Sequence, residues 1–365
     1  MGTRPEAIKL GPVIQELRRH PEAFHVTVCV TAQHREMLDQ MLQVFEIRPD
    51  FDLNLMQPGQ SLTALTARVL TTIEPVFREV NPDLVLVQGD TTTTFAGALA
   101  AFYQRIPVGH IEAGLRTFDL WHPFPEEMNR VFAGRLSALH FAATPAAQQN
   151  LLNEGVNSSF VHVTGNTGID ALLFVQREIL AGRLEPAYRF VPKANRKLIV
   201  VTVHRRESFG DGLRRIASGL QSIARRADVQ IVIPVHPNPN VRPVLDEYLG
   251  SLPTVTMVEP LDYVSFVDLM RQAYLLITDS GGVQEEGPSL GKPILVVREK
   301  TERPEAVEAG SVALVGTDER LLVHQATRLL EDPIEYRRRA FVHNPYGDGQ
   351  ASPRIASLIH SFLSE

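Results

Sequence analysis

Cysteine and long apolar runs are scarce in this sequence. Cys29 is the only cysteine among 365 residues, so no disulfide bond can form within the chain. No apolar stretch approaches the length of a membrane span, and there is no charged and then apolar leader with a small-residue cleavage site. The net charge of −6 at pH 7 argues against a general nucleic-acid surface. We therefore expect a cytoplasmic protein that binds neither nucleic acid nor a membrane.

The composition is that of a globular protein, with 44% hydrophobic and 21% charged residues in a chain long enough for two domains. Short apolar runs alternate with helical patterns, which is typical of parallel sheets covered by helices. The expected strands lie at 25–30, 84–88, 106–109, 139–142, 161–164, 198–202, 229–235, 254–258, 275–278 and 294–297. Helical patterns lie, among others, at 33–45, 62–80 and 169–180. The sequence therefore predicts an α/β protein with two Rossmann-like domains.

The alternation is interrupted twice, at 165–168 and at 344–349, and both stretches contain two glycines. We therefore place an N-terminal domain at 1–166, a C-terminal domain at 167–345 and a final helix within 346–365. The apolar residues of that helix share one face, so it must pack on another element.

The first residues, GTRPEAIK at 2–9, are typical of a glycine turn that opens a helix. Arg4 and Lys9 lie near its N-terminus, where a phosphate could bind. If they bind nothing, they form a solvated first turn in which their charge opposes the helix dipole. Such a turn follows a strand in a doubly wound fold. We expect either that the domain tolerates the loss of a central strand or, as we favour, that the start lies upstream of Met1.

Three carboxylates are expected at the carboxyl edge of the first sheet. Asp90 and Glu112 each follow an apolar strand, and Glu126 begins a helix after a proline. Carboxylates gathered in this way repel one another, and at least one should have a raised pKa, as proton transfer at neutral pH requires. The sequence therefore predicts an acid–base site.

Each carboxylate also has a purely structural interpretation. Asp90 could cap the helix that follows it, Glu112 could pair with Arg116 one turn later, and Glu126 could interact with the helix dipole alone. The three together favour a site.

Basic residues follow two strands of the second domain. His204 comes after the 198–202 strand with Arg205 beside it, and an imidazole near a bound phosphate can donate to it. A lone histidine there is more often a packing residue. Arg303 is a candidate phosphate clamp, and its alternative role is an ion pair with Glu302 or Glu305.

The segment TDSGGVQEE at 278–286 predicts a small-residue turn between a buried strand and a helix. The backbone N–H groups of Ser280, Gly281 and Gly282 could bind a diphosphate, since no bulky side chain blocks the approach. Glu286 could accept hydrogen bonds from ribose hydroxyls, or it is a surface carboxylate. Because arginines and a helix N-terminus can neutralise a diphosphate and no residues have metal-ligand spacing, we expect neither a metal nor another cofactor.

Eight motifs, in this order, resemble the non-hydrolysing UDP-N-acetylglucosamine 2-epimerases: GTRPEAIK, QGDTTTT, HIEAGLRT, PFPEEMNR, HRRESFG, TDSGGVQEE, TERPEAV and NPYGDGQAS. The match runs essentially end to end. The resemblance implies a glycosyltransferase-B type fold, with two parallel sheets facing a cleft and the final helix packed back on the N-terminal domain. It implies interconversion of UDP-GlcNAc and UDP-ManNAc by elimination of UDP to a 2-acetamidoglucal and re-addition, supplying ManNAc for cell-surface polysaccharides.

The resemblance also assigns residues. The catalytic positions are Asp90, Glu112, Glu126 and His204. The substrate-binding positions are Arg4, Lys9, Phe266, Ser280, Gly281, Gly282, Glu286 and Arg303. A second UDP-GlcNAc, bound as an allosteric activator, would contact Gln33, Arg35, Arg205 and His236. Relatives suggest a homodimer.

Three other functions stay open at this point. A glycosyltransferase of the same fold would need an acceptor, a hydrolysing epimerase would release free ManNAc and UDP, and a nucleotide-sugar sensor would bind without turnover.

Overall fold

The computed structural model describes residues 1–31, 35–57 and 59–364, with the backbone alone at 35 and 36. The chain divides into two compact units, each of which combines helices with parallel strands. Unit 1 comprises Met1–Phe174 and the final segment from Tyr346, and unit 2 comprises Val175–Pro345. The α/β class expected from the sequence is confirmed. Of the helices described, none is long and apolar enough to cross a membrane.

Unit 1 alternates strands with helices. Its strands are β1 (Cys29–Val30), β2 (Phe51–Asp52), β3 (Val85–Gln88), β4 (Val108–Ala113), β5 (Leu139–Ala142) and β6 (Val161–Val163). Its helices, up to the crossing into unit 2, are α1 (Arg4–Arg18), α2 (Arg35–Val44), α3 (Leu62–Val80), α4 (Thr92–Tyr103), α5 (Glu126–Leu136), α6 (Pro145–Asn153) and α7 (Thr167–Leu180). Helix α3 and strand β5 have the predicted bounds, whereas the strand expected at 25–30 is reduced to β1.

Unit 2 repeats the alternation. Its strands are β7 (Lys197–Thr202), β8 (Val229–Pro234), β9 (Val255–Val258), β10 (Leu275–Thr278), β11 (Ile294–Val296) and β12 (Val312–Leu314). Its helices are α8 (Asp211–Ala224), α9 (Arg242–Leu249), α10 (Tyr263–Gln272), α11 (Gly281–Glu286), α12 (Pro304–Ala309), α13 (Glu319–Glu331) and α14 (Pro333–Ala340). The chain then returns to unit 1 as α15 (Ala351–Ser364). Strand β12 was not predicted.

The strands of unit 2 form one parallel sheet in the order β12-β11-β10-β7-β8-β9. Its central strands are apolar on both faces, as a sheet covered by helices requires. Helix α8 packs on it through buried residues that recur every three or four positions, among them Leu213, Ile216 and Leu220. The carboxyl ends of β7 and β10 lie side by side, because Thr202 is paired with Thr278.

The strands of unit 1 form two separate parallel sheets. In the described residues β1 pairs with β2 alone, while the second sheet has the order β3-β4-β5-β6. Met1 makes one parallel bridge to β1, donating to Cys29 O at 3.0 Å and accepting from Thr31 N at 2.9 Å. A cavity of ≈ 350 Å³ is lined by residues of β1, β3, α1 and α3. The single sheet expected for the first domain is therefore split here.

Helices α7 and α15 connect the end of the chain to unit 1. The Asp170 carboxylate on α7 accepts the first free N–H groups of α15, from Ser352 at 2.8 Å and Ala351 at 3.3 Å. Burial raises the pKa of Asp170, although these N–H groups act in the opposite direction. The unit boundary falls inside α7, after Phe174, rather than at 166 just before that helix.

Candidate functional site

The strand that carries Glu112 is longer than expected, because β4 continues to Ala113 instead of ending at 109. Its pairing with β5 shifts register between Ile111 and Ala113, which forms a β-bulge. Glu112 lies in this bulge with φ of 64°, a left-handed conformation that residues other than glycine rarely adopt. Such conformations cost about 1–3 kcal/mol and are concentrated at functional sites. The bulge sets the direction of the Glu112 side chain.

The Glu112 carboxylate is held by two side chains from other elements. Lys9 Nζ lies 2.5 Å from Oε1, and the Gln88 amide donates to Oε2. The carboxylate is only 8% exposed. The pair with Arg116 considered from the sequence is wrong, because Arg116 donates to Glu154 at 2.6 and 3.0 Å. Lys9 thus pairs with a candidate catalytic carboxylate, and its expected role at a phosphate stays a prediction.

Asp90 follows β3 and is held from α5. Its Oδ2 accepts from Arg130 Nη2 at 2.6 Å, and its backbone carbonyl accepts from Asn129 Nδ2 at 2.9 Å. The helix cap that Asp90 might have formed is provided by Thr91, whose Oγ1 accepts from Thr94 N at 3.1 Å. The capping interpretation is therefore wrong, and the Asp90 carboxylate forms an ion pair with Arg130.

Glu126 is the first residue of α5 and is half-buried, so it occupies the dipole position considered from the sequence. The next residue, Glu127, is 1% exposed, and the sequence reasoning missed it. Its Oε1 accepts from the backbone N–H groups of Thr117 and Phe118, both at 3.0 Å. Its Oε2 lies 3.2 Å from Arg130 Nη1. Glu127 thus fixes the segment after β4 and the arginine that holds Asp90.

A buried histidine, also missed, supports the turn before Asp90. His110 Nε2 lies 2.7 Å from the carbonyl oxygen of Gly89, which adopts φ of 71°. Burial lowers the pKa of His110 to about 3, so its ring is neutral at physiological pH. The ring nitrogen that faces the carbonyl must then carry the proton and donate it. Gly89 follows β3 and His110 lies on the neighbouring strand β4. The spacing of these residues along the chain does not show that they are adjacent.

The other residues predicted for unit 1 are less constrained. Arg4 is the first residue of α1 and is half-buried. Gln33 and the side chain of Arg35 lie outside the described residues. The raised pKa expected for one of the three carboxylates stays a prediction. Among the residues described, no group of three or more His, Cys, Asp or Glu side chains is arranged to hold a metal.

In unit 2, His204 follows β7 and Asp279 follows the adjacent strand β10. Asp279 Oδ2 accepts from the backbone N–H groups of His204 at 2.6 Å and Arg205 at 2.8 Å. Its Oδ1 lies 2.8 Å from His204 Nδ1. The His204 ring stacks on His236, with ring centres 5.3 Å apart. His236 and Arg205, assigned to an allosteric site, therefore both adjoin the predicted catalytic histidine.

The predicted diphosphate turn connects β10 to the short helix α11. An added Cβ at Gly281 would lie 3.2 Å from Arg303 Cζ, so glycine allows the guanidinium to approach the turn. Arg303 Nε donates to Glu285 Oε1 at 2.8 Å, a partner not considered from the sequence. Its Nη1 lies 3.8 Å from Glu302, one of the two ion-pair partners considered from the sequence. The structure therefore brings Arg303 to the turn with its charge already partly balanced, and its role as a phosphate clamp stays a prediction.

The remaining predicted binding residues are also in unit 2. Gly281 and Gly282 are the first two residues of α11, directly after the turn. Glu286 ends α11, and its Oε1 accepts from the Tyr263 hydroxyl at 3.4 Å. Phe266 lies on α10 and is half-buried. These side chains belong to the same unit as His204, whereas Arg4 and Lys9 belong to unit 1.

Parallel α/β architecture in both units, with carboxylates set against cations in unit 1 and an Asp–His pair near a glycine turn in unit 2, defines an enzyme of the glycosyltransferase-B fold type. A crystal structure of the kitacinnamycin glycosyltransferase shares this fold, with a TM-score of 0.66 over 98% of this chain and 96% of that chain at 14% identity. This likeness concerns the fold alone.

Closer similarities identify the family. Residues 15–360 match the family model described as UDP-N-acetylglucosamine 2-epimerase. The chain is 55% identical to the UDP-N-acetylglucosamine 2-epimerase of Escherichia coli (strain K12), covering 98% of this chain and 96% of that one. The crystal structure of UDP-GlcNAc 2-epimerase from Neisseria meningitidis bound to UDP-GlcNAc is 48% identical, with a TM-score of 0.88 over 100% of this chain and 98% of that chain. The chain therefore belongs to the UDP-N-acetylglucosamine 2-epimerase family and is an isomerase.

Proposed function

We propose that this protein reversibly converts UDP-GlcNAc into UDP-ManNAc by inverting the configuration at C2 of the sugar. The proposal is supported by family membership and by a relative whose structure contains UDP-GlcNAc. The observation that carries it is the arrangement of Glu112 and Asp90, each a carboxylate at the end of a strand and each paired with its own cation. Ionised carboxylates at fixed positions are what proton abstraction requires.

The hydrogen at C2 is not next to a carbonyl group, so simple deprotonation is too costly. In the proposed reaction a carboxylate takes the C2 proton while the bond between C1 and the UDP oxygen breaks. The products are UDP, which keeps the electrons of that bond, and a 2-acetamidoglucal. Re-addition of UDP at C1, with a proton delivered to the opposite face of C2, completes the inversion. Two proton-transfer groups are therefore needed, and Asp90, Glu112 and Glu126 are the candidates.

The residues around these carboxylates have supporting roles in the proposal. Lys9 and Arg130 hold the Glu112 and Asp90 carboxylates in place through contacts of 2.5 and 2.6 Å. Glu127 fixes the Arg130 side chain through a 3.2 Å contact. The usual contribution of such a proton-transfer group is about 100- to 10,000-fold in rate.

Unit 2 supplies the nucleotide-binding groups in this proposal. The backbone N–H groups of Gly281 and Gly282 and the Arg303 guanidinium bind the diphosphate, because both kinds of group favour negative charge. The Ser280 N–H donates instead to Thr278 Oγ1 at 2.9 Å, so Ser280 contributes through its side chain. Glu286 accepts from the ribose hydroxyls and Phe266 lies against the uracil. His204 acts beside the departing diphosphate.

The wider role follows from the same proposal. The product would supply ManNAc for cell-surface polysaccharides, in the cytoplasm, and the enzyme would act as a homodimer. A second UDP-GlcNAc would act as an activator through Gln33, Arg35, Arg205 and His236. Light scattering tests whether the enzyme is a homodimer. The dependence of the initial rate on UDP-GlcNAc concentration tests the activation.

The test of the function is incubation of the purified protein with UDP-GlcNAc alone, followed by NMR. We expect UDP-ManNAc to accumulate to a constant ratio without free ManNAc. Free ManNAc with stoichiometric UDP would identify a hydrolysing epimerase instead. Turnover that appears only after an acceptor is added would identify a glycosyltransferase, and binding without any turnover would identify a sensor.

A further inference from the structure

We propose that Asp279 is a positioning residue that holds the His204 imidazole through Nδ1 and presents Nε2 to the ligand. This inference rests on the proposed function, since it concerns the histidine assigned to the departing diphosphate. Asp279 does not touch the substrate in this account. It acts only through His204.

The Asp279 carboxylate cannot rotate. Asp279 is 0% exposed, and its Oδ2 accepts from two backbone N–H groups, those of His204 and Arg205. These two bonds fix the plane of the carboxylate, so Oδ1 is left facing His204 Nδ1 at 2.8 Å. Parallel pairing of β7 with β10 sets this distance, because the two residues follow strands that are hydrogen-bonded neighbours.

The surroundings of Asp279 also determine its charge. Burial alone would raise the pKa of Asp279, but the hydrogen bond and charge of His204 and the two backbone N–H groups lower it on balance. The carboxylate is therefore ionised at neutral pH. A buried carboxylate oxygen facing Nδ1 requires a proton on that nitrogen, because two facing lone pairs would repel each other. The neutral ring should therefore carry its proton on Nδ1, as the imidazolium does.

The proton on Nδ1 determines whether His204 Nε2 donates or accepts a hydrogen bond. With Nδ1 always protonated, the neutral ring can only accept at Nε2, whereas the imidazolium donates there. Donation to an oxygen of the departing diphosphate therefore requires the charged ring, which Asp279 stabilises. Of the other charged or titratable residues described, His236 stacks on this ring and Arg205 is the next residue in the chain. When positively charged, both oppose the imidazolium, so the Asp279 carboxylate is the group that favours it.

The decisive variant is Asp279→Asn, which keeps the size of the side chain. Its single amide oxygen is needed by the two backbone N–H groups, so its NH₂ group would face Nδ1 and move the ring proton to Nε2. We expect the neutral His204 ring of this variant to carry its proton on Nε2, which nitrogen-15 NMR reads directly. We expect kcat to fall by at least about tenfold, with a smaller change in KM. The alkaline limb of the rate profile should move to lower pH, since the imidazolium is lost earlier.

Two controls separate positioning from a general structural effect. Asp268→Asn alters another buried aspartate of unit 2, which pairs with Arg271 at 2.6 Å, and it should leave the pH profile unchanged. The double variant with His204→Gln should be no slower than His204→Gln alone, because Asp279 acts through that ring.

The unmodified protein provides a measurement that does not depend on a variant folding. Nitrogen-15 NMR of the neutral His204 ring should show the proton on Nδ1, and a proton on Nε2 would overturn the inference. If the protein epimerises UDP-GlcNAc but Asp279→Asn leaves the His204 ring proton and the pH profile unmoved, this inference alone fails. If the proton moves to Nε2 as expected but no UDP-ManNAc forms, the proposed function fails while the Asp279–His204 coupling stands.

Discussion

The two units share one architecture but differ in how they are held together. In unit 2 the strands form one continuous parallel sheet, and many of its buried apolar residues form one cluster. In unit 1 the described strands form two separate sheets, and residues of that unit line a cavity of ≈ 350 Å³. The two units therefore differ in the continuity of their parallel sheets.

The difference is also visible in the way each unit positions its candidate site. In unit 2, His204 and Asp279 are neighbours because their strands are paired. In unit 1, Glu112 is held by Lys9, which is 103 residues away in the sequence, and Asp90 by Arg130, which is 40 residues away. Unit 1 thus takes these cations from helices α1 and α5, whereas in unit 2 the partner follows a paired strand.

The largest effect is expected from Glu112→Gln. Turnover of UDP-GlcNAc should fall at least about a hundredfold, which is about 2.7 kcal/mol in the barrier, because a proton-transfer group is lost. UDP affinity, measured by calorimetry, should survive, because the proposed nucleotide-binding turn lies in unit 2. The same loss is expected for Asp90→Asn and Glu126→Gln.

Glu74→Gln is the control for these carboxylate variants, because Glu74 is 42% exposed and pairs with Arg78 on the surface of α3. Its turnover should stay near that of the unmodified protein. Near-normal turnover in all three variants at the candidate site would show that the carboxylates are structural.

A smaller effect, on stability, is expected from Glu335→Gln in unit 2. Hydrogen bonding by Arg338, aided by Arg339, lowers the pKa of the buried Glu335 carboxyl to about 2. We expect the variant to be destabilised by about 1–3 kcal/mol at pH 7, because its arginine partners lose a charged acceptor. The measurement is urea denaturation at several pH values.

The pH dependence follows from the sign of that shift. Because the pKa of Glu335 is lowered in the folded protein, its ionised carboxylate stabilises the fold above the unfolded-state pKa of about 4.3. This stabilisation is lost as pH falls towards 2. The difference between Glu335→Gln and the unmodified protein should therefore shrink over that interval. A difference that stays constant from pH 6 to pH 2 would show that the ion pairs do not stabilise unit 2.

A matched pair of glycine substitutions compares the packing of the two units directly. In unit 2, a Cβ at Gly287 would lie 2.7 Å from Ile294 Cδ1 and 2.8 Å from Leu276 Cδ1, so Gly287→Ala should cost about 1–3 kcal/mol. In unit 1, a Cβ at Gly97 would meet Val87 Cγ1 at 3.7 Å, an ordinary contact beside the cavity. Gly97→Ala should therefore stabilise α4 by about 0.5–1 kcal/mol.

Hydrogen exchange of amides in each unit, read by mass spectrometry, separates the two glycine effects. Opposite signs are expected, with faster exchange in unit 2 for Gly287→Ala and slower exchange in unit 1 for Gly97→Ala. Equal destabilisation by both variants would mean that unit 1 is packed as tightly as unit 2.

The sequence predicted those parts of the fold that depend on local pattern. Helix α3, strand β5 and strand β10 have the predicted bounds because their apolar periodicity is strong. Strand β1 is shorter than predicted, because a strand exists only where a partner strand pairs with it. The bulge at Glu112 was not predicted for the same reason, since register is set by β5 and not by the residues of β4.

The candidate site was predicted less completely than the fold. Residue type and position after a strand were enough to select Asp90, Glu112 and His204. Their partners were missed or misassigned, because Lys9, Arg130 and Asp279 approach from elements whose position depends on the sheet order and helix packing. Spacing along the chain favoured nearby partners such as Arg116, and the structure shows distant ones.

The central claim is that the C2 hydrogen leaves and returns as a proton, and turnover of UDP-GlcNAc in deuterated water tests it most directly. Mass spectrometry and NMR should show one deuterium at C2 of the UDP-ManNAc formed, and the same label should appear in recovered UDP-GlcNAc as the reaction reverses. The label should enter at the rate of epimerisation and be lost in Glu112→Gln. UDP-ManNAc that forms without deuterium at C2 would contradict the account, because the hydrogen would then have moved without exchanging as a proton.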